Sequence, residues 1–421
     1  MLAGMASAQK TVNWGFEQRV RNENWNNSLD FSQTADDQRI QVRYRTRLWM
    51  DSSITKDIRI GLGLNSETKQ ITTPNVPFHV DEVIFETAYL DFQKLFVKGL
   101  SLRFGRQNLY RGEGFLFFDG GPLDGSRAFY QNAAVLGYEW KRSRLEAIGI
   151  FNPSSDRFLP RLNDRNRMLV EWDEQAIGAY YQDRNLAKTG IDGYYFFKKE
   201  FNDVRSPENP QYNPGRNFHT AGGRLVQLLS PKWTAGAEWA FQWGHEKTGA
   251  DVRGWGGYGH LRRTFGSRDQ HHVQTGYWAM SGDDPSTPGR NEGWDPMFSR
   301  WPTWSELYIY TMATEKGLSY WTNIGMWQAQ AVLAPARWMR SRFTYYHLNS
   351  FHRFDGNPAL YGNGTTRGDL YQIRTDVRYR QKWTGHVVYE RLAPGSFYTN
   401  PDKAWFLRFE VVFHHDGHHE F

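Results

Sequence analysis

Arginine recurs at every second position in one short segment of the chain. Arg43, Arg45 and Arg47 alternate with Tyr44 and Thr46 within residues 40–48. A guanidinium can hold a carboxylate or phosphate through two parallel hydrogen bonds, and it keeps its charge at any working pH. The chemistry that this spacing offers is therefore recognition of an anion.

More arginines occupy the equivalent face of other alternating segments. Arg374 and Arg378, for example, alternate with the apolar residues Ile373, Val377 and Tyr379. Because strand side chains alternate between two faces, parity against the apolar residues assigns a face to each arginine. The arginines assigned in this way to the polar face are Arg19, Arg21, Arg43, Arg45, Arg47, Arg103, Arg340, Arg342, Arg374, Arg378 and Arg380. For any one of them the alternative is pairing with a carboxylate such as Asp376 or Glu410, which would stiffen the wall.

The elements that carry these residues are strands. About 18 segments of roughly ten residues show period-2 alternation, and a face lined by arginine suits a water-filled lumen better than a dry core. The chain is polar on average, with a mean hydropathy of −0.71, yet 16% of its residues are aromatic. No run reaches the roughly 18 apolar residues of a helical span. The sequence predicts an all-β fold: a transmembrane antiparallel up-and-down β-barrel of about 18 strands.

The connections between the strands alternate in length along the chain. Brief ones, such as 230 and 381–382, alternate with long ones, such as 151–173 and 282–320. Short periplasmic turns and long extracellular loops are typical of bacterial outer-membrane barrels, so we expect the cell outer membrane of a Gram-negative bacterium.

The ends of the chain fit the same location. Ala6-Ser7-Ala8 resembles a signal-peptide cleavage site. Residues 1–8 are therefore interpreted as a residual signal-peptide segment and residues 9–421 as a single outer-membrane barrel domain. The amphipathic last segment, 404–414, and the terminal Phe421 resemble the signal read by the barrel assembly machinery.

Acidic and histidine clusters could support other chemistry. Glu113, Asp119 and Asp124 lie in a Gly-rich loop, where acids are more often turn formers or calcium ligands than a catalytic pair. The histidines at 271–272 and 414–419 could bind a transition metal weakly, but we expect the second group to form a solvated periplasmic tail. The chain has no cysteine. We predict no catalytic residue, no metal site and no cofactor, and thus no enzyme.

Two motifs resemble a known family. The first is Gly105-Arg106-Gln107, a Gly/Asp-rich loop, then Ser126-Arg127-Ala128-Phe129. The second is Ser281-Gly282-Asp283-Asp284, followed by Trp294-Asp295-Pro296. Together they resemble the alginate export family of outer-membrane barrels. The resemblance implies an electropositive channel that passes an anionic uronic-acid polymer outward, with a bore narrowed by inward-folded loops. It adds Arg106, Gln107 and Arg127 to the expected binding surface, and Asp283 and Asp284 to Glu113, Asp119 and Asp124 in the expected constriction.

The predicted function is a porin-like channel with an arginine-rich lumen for an anionic polysaccharide such as alginate, or for other anionic saccharides. The alternatives are a secreted or surface carbohydrate-binding all-β protein and a general small-solute porin. The expected partners are outer-membrane lipid, an anionic oligo- or polysaccharide, the assembly machinery and periplasmic export components, with no nucleic acid.

Overall fold

The computed structural model describes residues 11–34, 37–78, 83–118, 130–160, 172–201, 215–265, 271–299, 304–317 and 319–420. The predicted signal-peptide segment, residues 1–8, and the predicted site residues Asp119, Asp124 and Arg127 lie outside these ranges.

Eighteen antiparallel strands form a closed wall. Each wall strand pairs with the next along the chain, and the first pairs with the last, which closes the barrel. Two further strands of two residues each, β12 and β15, pair in parallel with each other above the wall. The strands are β1 Thr11–Asn26, β2 Arg39–Ser53, β3 Ile58–Thr73, β4 Val83–Phe92, β5 Leu100–Gln107, β6 Gln131–Trp140, β7 Ser143–Asn152, β8 Glu174–Asp183, β9 Thr189–Glu200, β10 Arg216–Ser230, β11 Trp233–Glu246, β12 Asp251–Val252, β13 Trp255–Phe265, β14 His271–Met280, β15 Arg290–Asn291, β16 Ile324–Ala336, β17 Met339–Asn349, β18 Thr366–Tyr379, β19 Trp383–Pro394 and β20 Ala404–Glu420.

The outer surface of the wall is apolar. Phe104, Ile177 and Trp327 are exposed to 62%, 65% and 57%. A closed barrel has no unpaired edge, and an apolar, aromatic exterior belongs in lipid. The predicted all-β barrel and its outer-membrane location are confirmed.

The short and long connections lie at opposite ends of the barrel. Residues 141–142, 231–232 and 337–338 make tight turns at the end where β1 begins, whereas residues 281–323 and 350–365 connect strands at the other end. We take the long-loop end as extracellular, as expected from the sequence.

Several strands extend well beyond ten residues. β1 continues to Asn26 and β3 to Thr73, so Glu67 is a wall residue. The predicted solvated tail at 414–419 is wrong, because β20 continues to Glu420 and pairs with the first residues of β1, including Asn13 with His418. Backbone pairing between the first and last strands explains why the polar tail is ordered.

Helix is scarce in the described part of the chain. There, one short helix, α1 Tyr308–Thr311, is followed by a 3₁₀ turn at Met312–Thr314 in the connection between β15 and β16. Among the described residues, no helix has the length and apolar character needed to span a bilayer.

Gly105 bends β5 just before its last two residues. Its φ is +124°, and a Cβ there would lie 2.3 Å from the Ala88 carbonyl oxygen and 2.9 Å from the Tyr89 Cα. We expect Gly105→Ala to destabilise the barrel by about 1–3 kcal/mol through left-handed strain and backbone overlap, measured as a lower urea midpoint in detergent. Gly149→Ala, where a Cβ meets nothing within 4 Å, is the control. Equal midpoints for the two variants would contradict the strain argument.

Candidate functional site in the barrel lumen

Parity places the arginines of β1 and β2 on the lumen wall, as predicted. Arg19 and Arg21 are buried inside while Val20 between them is exposed outside, and Arg43 and Arg45 flank the exposed Tyr44 in the same way. Neighbouring strands contribute glutamates to the same face, and the connection between β15 and β16 adds Glu306. Together they form a charge ladder of six arginines and six glutamates: Glu17, Arg19, Arg21, Glu23, Arg43, Arg45, Arg47, Glu67, Glu86, Glu306, Arg408 and Glu410.

The ladder is held by short ion pairs between neighbouring strands. Arg19 Nη2 lies 2.5 Å from Glu67 Oε2, and Arg43 Nη2 lies 2.6 Å from Glu67 Oε1. Arg21 Nε donates to Glu410 Oε2 at 2.7 Å. The strand register places some arginines directly opposite one another, as for Arg21 and Arg43. A carboxylate that is shared by two such arginines offsets the repulsion between their like charges.

Burial changes the role of these arginines. Arg19 and Arg21 are 0% exposed and Arg45 is 1% exposed, although a water-filled environment was expected for them. Their charges are matched by carboxylates, which a low-dielectric wall requires. The ladder therefore fits the alternative stated for these arginines, in which they pair with carboxylates and stiffen the wall. Its buried arginines are poorly placed to contact a solute.

One loop crosses the lumen from β5. In residues 108–118, Glu113 accepts a hydrogen bond from Arg224 on β10 at 3.0 Å and lies 3.0 Å from His260 Nε2 on β13. Phe117 forms a bridge and a stacked ring pair, at 5.4 Å, with Phe298 of a second loop. Since β10 and β13 lie well round the wall from β5, this loop, which carries Glu113, narrows the bore.

The contacts of Glu113 lower the pKa of its carboxyl group. Burial alone would raise the pKa of Glu113, but His260 and Arg224 outweigh it and lower the pKa to about 2. Because this pKa is lowered, the ionised carboxylate stabilises the attached loop fully at any pH above about 4.5, the ordinary pKa of glutamate. The stabilisation is lost as the pH falls from about 4.5 towards 2.

The expected result is a loop that stays in place between pH 7 and 5 and loosens below pH ~4.5. Single-channel recordings in planar bilayers should show steady current from pH 7 to 5 and increasing gating noise below that range. Glu113→Gln should show the noise already at pH 7. Noise that is independent of pH in the unsubstituted protein would rule out this attachment.

The second loop, residues 281–323, is anchored at several points of the wall. Asp295 is 1% exposed, lies 2.5 Å from Arg216 Nη2 and accepts a hydrogen bond from Tyr320. Glu315 forms two hydrogen bonds with Arg367 of β18, at 2.7 and 2.6 Å. These bidentate, buried contacts hold the loop inside the barrel.

Accessible arginines line a cavity of about 340 Å³ beside β5–β8, called the β5–β8 cavity. Arg103 pairs with Asp91 at 2.8 Å and keeps 40% of its side chain exposed. Arg111 and Arg144 share one carboxylate, that of Glu146, at 2.6 and 2.9 Å. The predicted residue Gln107 also lines this cavity. Three arginines against two carboxylates leave the cavity positively charged.

A second cavity, of about 650 Å³, opens near the short-turn end and is called the lower cavity. Five arginines and three carboxylates line it: Arg45, Arg337, Arg340, Arg374 and Arg378 with Glu17, Asp376 and Glu410. Arg374 is partly exposed and donates to Asp376 at 2.8 Å, while Arg340 and Arg378 are exposed. The structure thus brings three of the predicted arginines together on an accessible lumen surface. Arg342 lies on the same face of β17, half-buried.

Two predicted arginines lie elsewhere. Beyond the bend at Gly105, Arg106 packs outside the lumen, where Asp156 binds it with two hydrogen bonds of 2.7 Å and the Tyr130 ring lies 4.0 Å away. Arg380 lies in the turn after β18, with a φ of +49°. Arg106 was assigned to the lumen by the family resemblance, whereas parity with the exposed Phe104 places it on the exterior face. Arg380 lies beyond the end of β18, where parity no longer applies.

The predicted constriction residues Asp283 and Asp284 are turn formers in the second loop. Asp283 accepts from the Glu292 N–H, and Asp284 accepts from the N–H and hydroxyl of Ser286. Within the described residues, no group of three or more histidines and carboxylates is arranged to hold a metal ion.

Several site residues were missed. Arg408 and Arg144 lie on the lumen face by the same parity rule that assigned the others, so the sequence contained their signal. Arg111 and Asp295 lie in loops, where no alternation exists to assign a face.

Known proteins resemble this chain in fold but not in sequence. No family model matches the chain, and no curated protein matches it; the resemblance to the alginate export family therefore rests on the motifs alone. Among solved structures, the chain is similar to OpdK of Pseudomonas aeruginosa with vanillate, with a TM-score of 0.58 and 12% identity over 96% of this chain and 99% of that one.

Two more structures from that organism agree. The structure of OccK2 (OpdF) in complex with glucuronate has a TM-score of 0.57 and 12% identity over 96% of this chain and 97% of that one. OccK11 (OpdR) has a TM-score of 0.58 and 11% identity over 99% and 100%. At these identities the likeness concerns the fold, which is the closed porin-like barrel of outer-membrane proteins.

Proposed function

We propose that the protein is a passive outer-membrane channel for small organic anions that carry a carboxylate. The observation that carries this proposal is the pair of lumen cavities in which accessible arginines outnumber carboxylates. A guanidinium that is already partly paired offers a weak site, and several weak sites in series let an anion bind and leave. Vanillate and glucuronate, found with two proteins of similar fold, are both carboxylates.

An anionic polysaccharide such as alginate is the second candidate. The arginine-rich lumen and the two sequence motifs favour it. The meeting of two inward loops at Phe117 and Phe298 counts against it, because a polymer needs a continuous bore, whereas cavities of about 340 and 650 Å³ suit small solutes. A secreted carbohydrate-binding protein does not fit the apolar exterior, and a general small-solute porin would share the barrel but show little preference among solutes.

The test is the reversal potential of the purified barrel in a planar bilayer under a salt gradient. We expect anion preference, and we expect the triple variant Arg340→Gln/Arg374→Gln/Arg378→Gln to lose most of it because the lower cavity then has more carboxylates than arginines. Arg263→Gln changes an exterior arginine and is the matched control.

A second measurement separates an organic-anion channel from a general porin. Benzoate should reduce the chloride current by occupying the arginine sites, and neutral benzyl alcohol of similar size should not. Cation preference would reject the channel proposal, and equal effects of the two solutes would favour the general porin.

A further inference from the structure

A groove of about 490 Å³ lies on the outer face of the barrel, away from the lumen. It is formed by β9, β10, β11 and β13 near their long-loop ends, and its lining includes Phe197, His219, Trp243, Arg253 and Trp255. Parity places these strand side chains on the same face as the exposed Tyr195 and Phe241. The groove therefore opens towards the outer leaflet of the membrane.

Aromatic rings form the floor of this exterior groove. The rings of His219 and Trp243 stack at 5.4 Å and 17°, and the Phe197 ring lies 5.0 Å from His219. The Tyr195 hydroxyl fixes the imidazole through a hydrogen bond of 2.7 Å to Nδ1. Preorganised ring faces of this kind pack against the apolar face of a sugar, while a polar edge stays available for hydroxyl groups.

Basic side chains stand at the extracellular rim of the same groove. Arg253 keeps 60% of its side chain exposed and is only loosely paired, at 3.5 Å, with Asp251. Lys199 lies directly opposite Asn217 in the strand register, on the exterior face of β9. Exterior cations at the headgroup level attract anionic lipid groups, and arginine and lysine both bind phosphate.

The wall towards the membrane centre is apolar and smooth. Gly193, Ala221 and Gly223 continue the exterior faces of β9 and β10, and a Cβ at Gly193 would meet nothing within 4 Å. The polar side chains of Asn217 and His219 lie on the extracellular side of this apolar surface. The groove thus spans the boundary between headgroups and hydrocarbon, with basic groups, rings and apolar wall in that order.

We propose that the exterior groove binds a phosphorylated glycolipid of the outer leaflet. Its phosphate lies at Arg253 and Lys199, a sugar ring packs on Trp243 and His219, and the acyl chains cover the apolar wall below. This order of chemistry matches a molecule that carries phosphate, sugar and acyl chains in sequence. The site is independent of the proposed channel function.

The experiment uses the full barrel in vesicles of neutral phosphatidylcholine with increasing fractions of diphosphoryl lipid A, monophosphoryl lipid A or phosphatidylglycerol. The readout is the temperature at which the heat-modifiable gel shift of the barrel is lost. We expect diphosphoryl lipid A to raise this temperature most and phosphatidylglycerol to raise it little. In Arg253→Ala/Lys199→Ala the half-saturating fraction of diphosphoryl lipid A should rise at least about tenfold, as expected for lost charge-assisted hydrogen bonds.

Arg263→Ala is the matched control, because Arg263 is an exposed exterior arginine at the opposite end of β13. It should respond to lipid A as the unsubstituted protein does. Trp243→Leu tests the ring contact and should weaken the response to both forms of lipid A. The proposal is overturned if phosphatidylglycerol stabilises equally, if the double variant keeps its response, if Arg263→Ala loses as much, or if lipid A gives no shift.

Discussion

Replacing Glu23 by alanine is expected to destabilise the barrel by about 3–5 kcal/mol, the cost of leaving buried charges without their partner. Glu23 is 0% exposed and contacts three arginines of the charge ladder: Arg408 at 2.5 Å, Arg43 at 3.1 Å and Arg21 at 3.4 Å. Its removal leaves this part of the lumen wall with surplus positive charge and little water to screen it.

The measurement is the urea midpoint of unfolding in detergent, followed by gel mobility without heating. Glu139→Ala is the control, because Glu139 is 61% exposed and 3.7 Å from Arg144, and exposed pairs contribute about 0–1 kcal/mol. If Glu23→Ala unfolds at the midpoint of the unsubstituted protein, the ladder does not stabilise the wall.

The second large effect is expected from Asp295→Ala, which removes the central anchor of the second inner loop. Asp295 forms an ion pair with Arg216, accepts a hydrogen bond from Tyr320 and lies 3.5 Å from Lys198. Loss of a buried pair of this kind costs about 3–5 kcal/mol, so the ratio of detached to attached loop should rise by roughly two to four orders of magnitude. A detached loop widens the bore.

Single-channel conductance in a planar bilayer checks this prediction. The variant should show a larger and noisier unit conductance than the unsubstituted protein. Asp355→Ala, which breaks an exposed pair with Arg353 in another loop, should conduct as before. An unchanged unit conductance for Asp295→Ala would mean that the other anchors, such as Arg367 with Glu315, hold the loop unaided.

The sequence predicts the wall well because strand geometry is local. Alternation of Arg43, Tyr44 and Arg45 assigns their faces without knowledge of any partner, and the lengths of the connections assign the two ends. The same rule does not reach Arg380, because β18 ends before it. Arg106 was assigned to the lumen by the family resemblance, although parity with Phe104 places it outside. Parity holds only while the backbone stays extended.

Pairing between distant strands was not predictable in the same way. Arg21 and Glu410 are 389 positions apart, and nothing in either segment identifies the other. The contacts of Glu113 and Asp295 depend on where long loops fold, which local patterns do not determine. For this reason the sequence overestimated the arginines that meet solute and missed Arg111, which lies in a loop and lines a cavity.

The residues matched to the alginate export family show a similar division. Gln107 lines the β5–β8 cavity, whereas Arg106 packs outside the lumen and Asp283 and Asp284 stabilise turns. Motif residues can be retained for the bends and loops of a barrel without contact with its solute. The proposal for small organic anions therefore rests on the accessible arginines.

The ladder also has a consequence for how the chain closes into a cylinder. Along the contact between β1 and β20, Arg21 faces Glu410 and Glu23 faces Arg408. A slip of one residue would turn one member of each pair towards hydrocarbon, where a charge near the bilayer centre costs about 2–4 kcal/mol. Closure in the wrong register therefore costs free energy at several charged pairs, and the charges of the first and last strands favour the correct register when the barrel closes.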